Sequence, residues 1–146
     1  MAEVFLFLSS RSFLIEDCLR PLLELENQII VLDRFSDSTY VYQGFVQGLD
    51  LEYLKKLHLG LGMGLIPHKT LYLRISAETS LSRQKIRNQA KDYFEQWGID
   101  KVQKLVDGFD QLTLKEPTRI SRIDAEKNAE HVLQQALASL KELIKQ

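Results

Sequence analysis

Apolar and polar positions follow one another along the chain in a pattern that predicts helices separated by short strands. Residues 29–32 form a continuous apolar, β-branched run, which is typical of a strand buried on both faces of a sheet. Further strands are predicted at 70–75 and 119–123. The predicted helices are 2–16, 36–47, 50–59, 77–87, 93–112 with a break near Gly98, and a last one after residue 124. Strands that alternate with helices indicate an α/β fold with a parallel sheet.

The same pattern predicts which faces of these helices are buried and how the helices begin. Residues 4–8 are apolar on nearly every side, so we expect both faces of the first helix to be covered, one of them by a partner subunit. Ser36 or Asp37 is expected to cap the second helix, and Asp124 the last. Helix-spaced apolar residues predict two inward faces: Leu51, Leu54, Leu57 and Leu59 in one helix, and Ala129, Val132, Leu133, Ala136, Leu137, Leu140, Leu143 and Ile144 in the last.

Composition is that of an ordinary globular protein and excludes several classes of function. The chain of 146 residues is long enough for one domain with a real core, and 45% of it is hydrophobic and 27% charged. A net charge of -1 gives no general attraction to nucleic acid or to an anionic membrane, and the apolar stretches are too short to span a bilayer. A single cysteine excludes an internal disulfide and a zinc cluster and fits a cytoplasmic location. The three histidines lack the spacing of a metal site: His58, His68 and His131.

A glycine-rich segment at 60–64 is the first candidate for ligand binding along the chain. Its glycines do not have the spacing of a dinucleotide-binding fingerprint, and the segment does not join a strand to a helix. We therefore interpret it as a plain loop.

The run Asp33–Gly44, Asp-Arg-Phe-Ser-Asp-Ser-Thr-Tyr-Val-Tyr-Gln-Gly, is the strongest candidate for chemistry. It follows directly on the first predicted strand, and open α/β sheets bind ligands where strands end. Asp33 can meet a metal or accept a proton, and Arg34 can hold a phosphate by two parallel hydrogen bonds. The alternative is that these two residues form an ion pair at the end of a strand.

This run resembles the Asp-Arg-(Tyr/Phe/His)…Ser…Tyr-Gln-Gly motif of bacterial thymidylate kinases. Three further segments are similar to that family: the helix at 2–11, the strand at 66–74, and residues 77–83 with 92–95 at either end of a lid. Together they cover nearly the whole chain and match the C-terminal two-thirds of the family. The resemblance implies a P-loop kinase-like fold of three α/β/α layers around a parallel sheet, with residues 1–146 forming a single, incomplete domain. It also implies transfer of the γ-phosphate of ATP to dTMP with Mg²⁺, giving dTDP.

The resemblance implies roles for residues in the first half of the chain. Phe7 and Arg11, four residues apart on one helix face, match the pair that binds thymine; the alternative is a core phenylalanine and a solvated arginine. Asp33 and Arg34 match the catalytic pair, with Asp33 helping to organise Mg²⁺ and Arg34 gripping the acceptor phosphate. The remaining substrate-binding candidates are Ser38, Thr39 and Gln43, whereas Tyr42 is equally interpretable as core packing.

A basic run in the second half matches the lid of the family, predicted here at about 84–92. Arg83 and Arg87 are the candidates for contact with the donor phosphates, and Lys85 and Lys91 lie in the same run. On charge alone, this run is equally typical of a solvated helix face.

No Gly-x-x-x-x-Gly-Lys-Ser/Thr phosphate loop occurs in the sequence, although the resemblance implies one. Relative to the family, the first strand, the phosphate loop, the first helix and the second strand are missing, so we expect a truncated sheet. Three hypotheses remain open: a dTMP-binding module without ATP, a dimerisation module, and a split enzyme whose phosphate loop comes from a separate chain. The family dimerises in part through the helix that matches residues 2–16, so a homodimer is expected, and neither nucleic acid nor membrane is expected as a partner.

Overall fold

The computed structural model describes residues 1–60, 64–87 and 97–144. These residues fall into two compact units, Met1–Ile66 and Pro67–Gln146. The predicted glycine loop lies partly outside the described residues, as do the lid beyond residue 87 and the predicted helix start at residue 93.

The elements of the first unit in its described part are all helices. Its first helical stretch runs without interruption from residue 2 to residue 23, and its second from residue 36 to residue 46. The elements are α1 (Ala2–Phe13), a first π-helix (Leu14–Leu19), α2 (Arg20–Leu23), α3 (Ser36–Thr39), a second π-helix (Tyr40–Val46) and α4 (Leu51–Gly60). The predicted helices at 2–16, 36–47 and 50–59 are therefore present, although each of the first two changes to π geometry part-way along.

The core of the first unit lies where α1 and the first π-helix meet α4. Val4 and Leu8 are one turn apart on α1, and Ile15 and Leu19 repeat the same spacing in the π-helix. Burying each of these aliphatic side chains contributes about 1.5–3 kcal/mol to folding. The buried residues of this cluster are Val4, Leu8, Ile15, Leu19, Phe35 and Leu54.

The prediction of a doubly buried strand at 29–32 is wrong for this structure. Residues 28–32 have no strand assignment, and Ile29 and Val31 are 73% and 87% exposed. Ile30 and Leu32 pack against the core, so the segment shows the alternation of an extended chain with one covered face. A strand needs a hydrogen-bonded neighbour, and none pairs with this segment among the described residues.

Two further predictions about the first unit are corrected. Neither Ser36 nor Asp37 is a cap, because α3 begins at Ser36 and its N-cap is Phe35. On α4, Leu54 is buried as expected, but Leu59 is 67% exposed and His58 is only 3% exposed. His58 lies four residues after Leu54 and therefore shares its face, whereas Leu59 does not.

The first helix is not covered on both faces within this unit. Val4 and Leu8 are completely buried, but Phe5 is 49% and Leu6 is 72% exposed. One face of α1 is thus in the core, and the other is apolar and open.

Among its described residues, the second unit contains a two-stranded parallel sheet and three helices, two between the strands in sequence and one after them. Strand β1 (Thr70–Arg74) pairs with β2 (Ile120–Asp124) in the register Thr70–Ile120 to Arg74–Asp124. The helices are α5 (Ala77–Arg87), α6 (Ile99–Lys115) and α7 (Ala129–Ile144). Because two parallel strands are joined through helices, the α/β class is confirmed.

Residue-level predictions for the second unit are confirmed in part. Gly98 immediately precedes α6, and the part of the predicted helix at 93–96 lies outside the described residues. The last helix is capped by Asn128, whose Oδ1 accepts from the backbone N–H of His131 at 3.0 Å. Asp124 instead accepts from the N–H of Glu126 at 3.0 Å, because it still belongs to β2 and lies too far ahead of the helix.

The apolar stripe of α7 is not a buried core in this unit. Val132, Ala136 and Leu140 are half-buried, whereas Leu133 and Leu137 are 57% and 51% exposed. Periodicity identified the helix correctly but not the extent of its burial. No helix in the described part of the chain is long and apolar enough to cross a bilayer.

Candidate functional site

Arg11 lies at the centre of a hydrogen-bonded cluster in the first unit. Its Nη1 donates to Thr39 Oγ1 and to His58 Nε2, both at 2.8 Å, and its Nη2 donates to the carbonyl oxygen of Phe35 at 3.1 Å. These acceptors come from α3, from α4 and from the residue that precedes α3. The guanidinium is planar and rigid, so acceptors on different elements fix its orientation.

His58 accepts this bond as a neutral ring. Its Nδ1 lies 2.9 Å from the carbonyl oxygen of Leu54, which can only accept, so Nδ1 carries the proton and Nε2 is the acceptor. Burial lowers the pKa of His58, and the charge of Arg11 lowers it further, against the opposing effect of the bond to Leu54. Burial likewise lowers the pKa of Arg11, opposed by Tyr40 and Asp37, but a guanidinium remains charged.

Two phenylalanines lie near Arg11: Phe35 in space and Phe7 along helix α1. The Cζ of Arg11 stands 5.3 Å from the ring centroid of Phe35, in the range of a cation–π contact. Phe7 lies one turn earlier on α1 and is 40% exposed. The sequence therefore places a partly open aromatic ring beside a fixed, forked cation, and this pair can stack on a planar base and hydrogen-bond to its edge.

Gln43 is held in one orientation by the start of α1. Its Nε2 donates to Glu3 Oε1 at 2.7 Å, and its side chain is only 2% exposed. A carboxylate only accepts, so the amide nitrogen must face Glu3 and the amide oxygen must face away from it. Gln47 donates to the same Glu3 oxygen at 2.9 Å from an exposed position.

Ser38 and Thr39 on α3 are the two predicted substrate-binding residues that carry hydroxyl groups. Thr39 is 2% exposed, and its oxygen accepts from Arg11, so its own proton is left for another acceptor. Ser38 is half-buried.

Asp33 and Arg34 are exposed at a bend before α3. Arg34 has a φ of 67°, a left-handed conformation that costs a non-glycine residue about 1–2 kcal/mol. Its Cζ stands 5.1 Å from the ring centroid of Tyr42, so the Tyr42 ring makes a cation–π contact with the Arg34 guanidinium. A strained arginine held over an aromatic ring is a feature of ligand-binding sites more than of plain surface.

Known proteins resemble this chain over almost its whole length. The family model described as "Thymidylate kinase" matches residues 1–136. The chain belongs to the thymidylate kinase family. It is 36% identical to a thymidylate kinase of Desulfovibrio desulfuricans over 95% of this chain, 35% to one of Mesoplasma florum over 91%, and 40% to one of a Synechococcus strain over 86%. These matches span 66%, 63% and 59% of those relatives, so the chain covers somewhat less than two thirds of their length.

The resemblance to thymidylate kinases predicted from four segments is thus confirmed as family membership. Within the first unit, Arg11 bonds to Thr39, and α3 continues into the π-helix that carries Gln43. Asp33 and Arg34 lie at the bend before α3. What these residues do stays a prediction.

Arg83 and Arg87, the predicted lid residues of this thymidylate kinase family member, lie on α5 in the second unit. Arg83 Nη1 donates to the carbonyl oxygen of Ala125 at 2.9 Å, and Nη2 to that of Glu126 at 3.4 Å. The Glu126 carboxylate accepts from the N–H of Ser76 at 2.7 Å, just before α5. Arg83 therefore ties α5 to the segment after β2, while Arg87 is exposed at the end of the helix.

Two hydrogen bonds from Ser76 lower the pKa of Glu126. The bond from the backbone of Ser76 has the largest effect, and the bond from its side chain has the next largest. A further bond from Thr79 and the charge of Arg83 act in the same direction.

Sequence reasoning did not identify three residues that hold this site together: Glu3, Phe35 and His58. One signal for His58 was available, because it falls four residues after Leu54 on α4 and so lies on the same face, whereas the inward stripe was predicted as Leu51, Leu54, Leu57 and Leu59. A polar residue on a buried stripe needs a partner, and Arg11 is a candidate cation. Nothing in the spacing of Glu3 and Gln43, forty residues apart, indicates their contact.

Proposed function

We propose that the first unit binds dTMP as the phosphate acceptor of a thymidylate kinase reaction, in which the γ-phosphate of ATP passes to dTMP. The observation that carries this proposal is the fixed guanidinium of Arg11, held by Thr39, His58 and Phe35 beside the partly open ring of Phe7. Family membership makes thymine the natural base for that pair. We place the reaction in the cytoplasm.

Recognition of thymine follows from the donors and acceptors of the site. Thymine presents a carbonyl oxygen at position 4 and an N–H at position 3 along one edge. Arg11 supplies the donor for the carbonyl, and the oxygen of Gln43, turned away from Glu3, supplies an acceptor for the N–H. Phe7 stacks on the ring, and Ser38 and Thr39 add hydroxyl groups to the same edge.

The acceptor phosphate is assigned to the bend at Asp33 and Arg34. Arg34 can take two phosphate oxygens at once, which fixes the direction of the phosphate as well as neutralising its charge. Asp33 supplies one carboxylate oxygen for Mg²⁺. No group of three His, Cys, Asp or Glu side chains suited to a metal occurs in the described residues. Phosphate oxygens and water would complete the coordination of the ion.

The donor side of the reaction is the less complete half of this proposal. Arg83 and Arg87 are its candidates on this chain, as residues that would meet ATP when a lid closes. The 146 residues contain no phosphate-loop motif. In our account, phosphoryl transfer therefore requires a loop of that kind from outside these residues, for which a separate chain is one possible source.

The experiment that tests acceptor binding is calorimetric titration of the chain with dTMP and, as a matched ligand, dCMP. Cytosine carries an amino group at position 4 and an unprotonated nitrogen at position 3, so it reverses both contacts made by Arg11 and Gln43. We expect dTMP to bind at least tenfold more tightly than dCMP. Equal affinity for the two nucleotides, or no binding of either, contradicts the proposal.

A second function, homodimerisation through α1, is favoured by the exposure of its outer face. Leu6 is 72% and Phe13 is 68% exposed, although both lie on a helix whose other face is completely buried. Apolar side chains of this size on one face are typical of subunit contacts. Sedimentation of the wild-type chain and of Leu6→Glu tests this: a dimer that the substitution dissociates supports it, and a monomeric wild type rules it out.

A further inference from the structure

We propose that His58 is the positioning residue for Arg11, and that nucleotide binding in the first unit therefore requires an unprotonated His58 ring. This inference rests on the proposed role of Arg11 in holding the base. His58 itself touches no ligand in this account and acts only through the guanidinium.

Only one tautomer of His58 satisfies both of its neighbours. With the proton on Nδ1, the ring donates to the carbonyl oxygen of Leu54 at 2.9 Å and accepts from Arg11 at 2.8 Å. With the proton on Nε2, two N–H groups would face each other, and the lone pair of Nδ1 would face the carbonyl oxygen. His58 is 3% exposed, so losing either partner would leave a buried polar atom without a hydrogen bond.

The bond to His58 determines where Arg11 points. Both hydrogens of Nη1 are engaged, one by Thr39 Oγ1 and one by His58 Nε2, and Nη2 donates to Phe35. Since all N–H groups of a guanidinium lie in one plane, these bonds fix the direction of its other N–H groups. Without the His58 acceptor on α4, the guanidinium keeps only its bonds to Thr39 and Phe35. It can then rotate about those two bonds.

Protonation of His58 would abolish this arrangement. The protonated ring donates from both nitrogens, so Nε2 can no longer accept, and two cations would stand 2.8 Å apart in a buried site. The groups that face His58 are Arg11 from α1, the Leu54 carbonyl of its own helix and the ring of Tyr40 at 5.2 Å between centroids. Asp37 acts on Arg11 and offsets part of the added charge. Burial lowers the pKa of His58, which agrees with a neutral ring at neutral pH.

A ligand-free NMR experiment tests the pair itself. Long-range ¹H–¹⁵N spectra distinguish the two tautomers and follow the titration of each ring, and His68→Gln and His131→Gln variants assign the three histidines. We expect the Nδ1–H tautomer for His58, titration below the ordinary value of about 6.5, and a higher pKa in Arg11→Gln. An Nε2–H tautomer, or a titration that Arg11→Gln leaves unchanged, overturns the inference.

A binding experiment tests the consequence for the nucleotide. The affinity for dTMP is measured from pH 5 to pH 8 for the wild type, His58→Gln and His58→Leu, with unfolding midpoints recorded for each. The glutamine oxygen can accept from Arg11 and does not titrate, whereas leucine fills the space without an acceptor. The dTMP phosphate also titrates in this pH range, but its effect is the same for all three proteins. It therefore cancels when their affinities are divided by one another.

We expect His58→Gln to bind like the wild type at pH 8 and to surpass it progressively below the pKa of His58, by about tenfold per pH unit. His58→Leu should bind at least tenfold more weakly at pH 8. If the wild type binds dTMP and all three affinities run parallel with pH, the inference is wrong while the acceptor role stands. If the wild type binds no dTMP at any pH, the acceptor role fails, and the NMR result alone decides whether His58 positions Arg11.

Discussion

Glu3 and Gln43 are joined by a hydrogen bond of 2.7 Å that connects the first turn of α1 to the second π-helix. The contact spans forty residues of sequence and lies at a buried glutamine that is 2% exposed. Because Glu3 can only accept, it determines which end of the Gln43 amide is available to a ligand. In our account, the specificity for thymine at position 3 depends on this orientation.

Replacing Glu3 by alanine should therefore weaken dTMP binding as well as destabilise the fold. We expect a loss of affinity of at least tenfold, because the Gln43 amide is then free to turn its nitrogen toward the base. Leaving the buried amide without its partner should also cost about 1–3 kcal/mol of unfolding free energy. Calorimetry and urea unfolding measure the two effects.

The matched control is Gln47→Ala, which removes the other donor to the same Glu3 oxygen from an exposed position. This variant should keep the affinity of the wild type. Equal losses in the two variants would mean that the Glu3 cluster is structural and does not orient Gln43.

Arg34→Ala should abolish dTMP binding while leaving the melting temperature nearly unchanged. Arg34 is exposed, so its removal exposes no core and leaves no buried polar group without a partner. The companion variant is Arg34→Gly, which should be about 1 kcal/mol more stable than Arg34→Ala, because glycine adopts a φ of 67° without a steric cost. A large loss of stability in Arg34→Ala with binding intact would restore the interpretation of Arg34 as a structural ion-pair residue.

Arg83→Ala should destabilise the second unit without affecting dTMP binding. Its guanidinium bonds to the carbonyl oxygens of Ala125 and Glu126, so the substitution frees α5 from the segment after β2. We expect about 1–2 kcal/mol of destabilisation, discounted because the side chain is exposed. Lys85→Ala, at an exposed position on the same helix, is the control and should lower stability less. Hydrogen exchange of the α5 amides measures the difference, and equal protection in both variants contradicts this role for Arg83.

His58 should also make the stability of the chain depend on pH. Its pKa is lower in the folded than in the unfolded state, so the unfolded state binds more protons in acid. The stabilisation is therefore fully present above the unfolded value of about 6.5 and is lost as the pH falls through the folded pKa. His58→Gln removes this contribution, so its unfolding free energy should change less between pH 7 and pH 5 than that of the wild type. Identical pH dependence in the two proteins would show that the ring titrates alike in both states.

Sequence periodicity predicted the helices and the parallel pair of strands, but not the state of residues 28–32. Their β-branched run has a strong preference for extended structure, but the chain there has no strand assignment. Burial of both faces, however, needs neighbours that local sequence does not contain. For the same reason, Leu133 and Leu137 of α7 fit the helical period but remain more than half exposed.

The candidate site was predictable to the extent that it depends on motifs. The Asp-Arg pair and the residues up to Gln43 were proposed from one short run, and Arg11 from the resemblance of its pair with Phe7 to the thymine-binding pair of the family. The supporting residues Glu3, Phe35 and His58 were not, because their contacts join positions 24 to 47 residues apart. Such contacts depend on how helices pack, which no local pattern encodes.

The most direct test of the account is a calorimetric titration with dTMP of the wild-type chain beside Arg11→Met. Methionine keeps most of the length and apolar volume of the arginine stem but has no N–H to donate. We predict that the wild type binds dTMP and that Arg11→Met, still folded, loses at least a hundredfold in affinity. Wild-type and Arg11→Met proteins with the same affinity would contradict the claim that the first unit is a nucleotide-acceptor site built around Arg11.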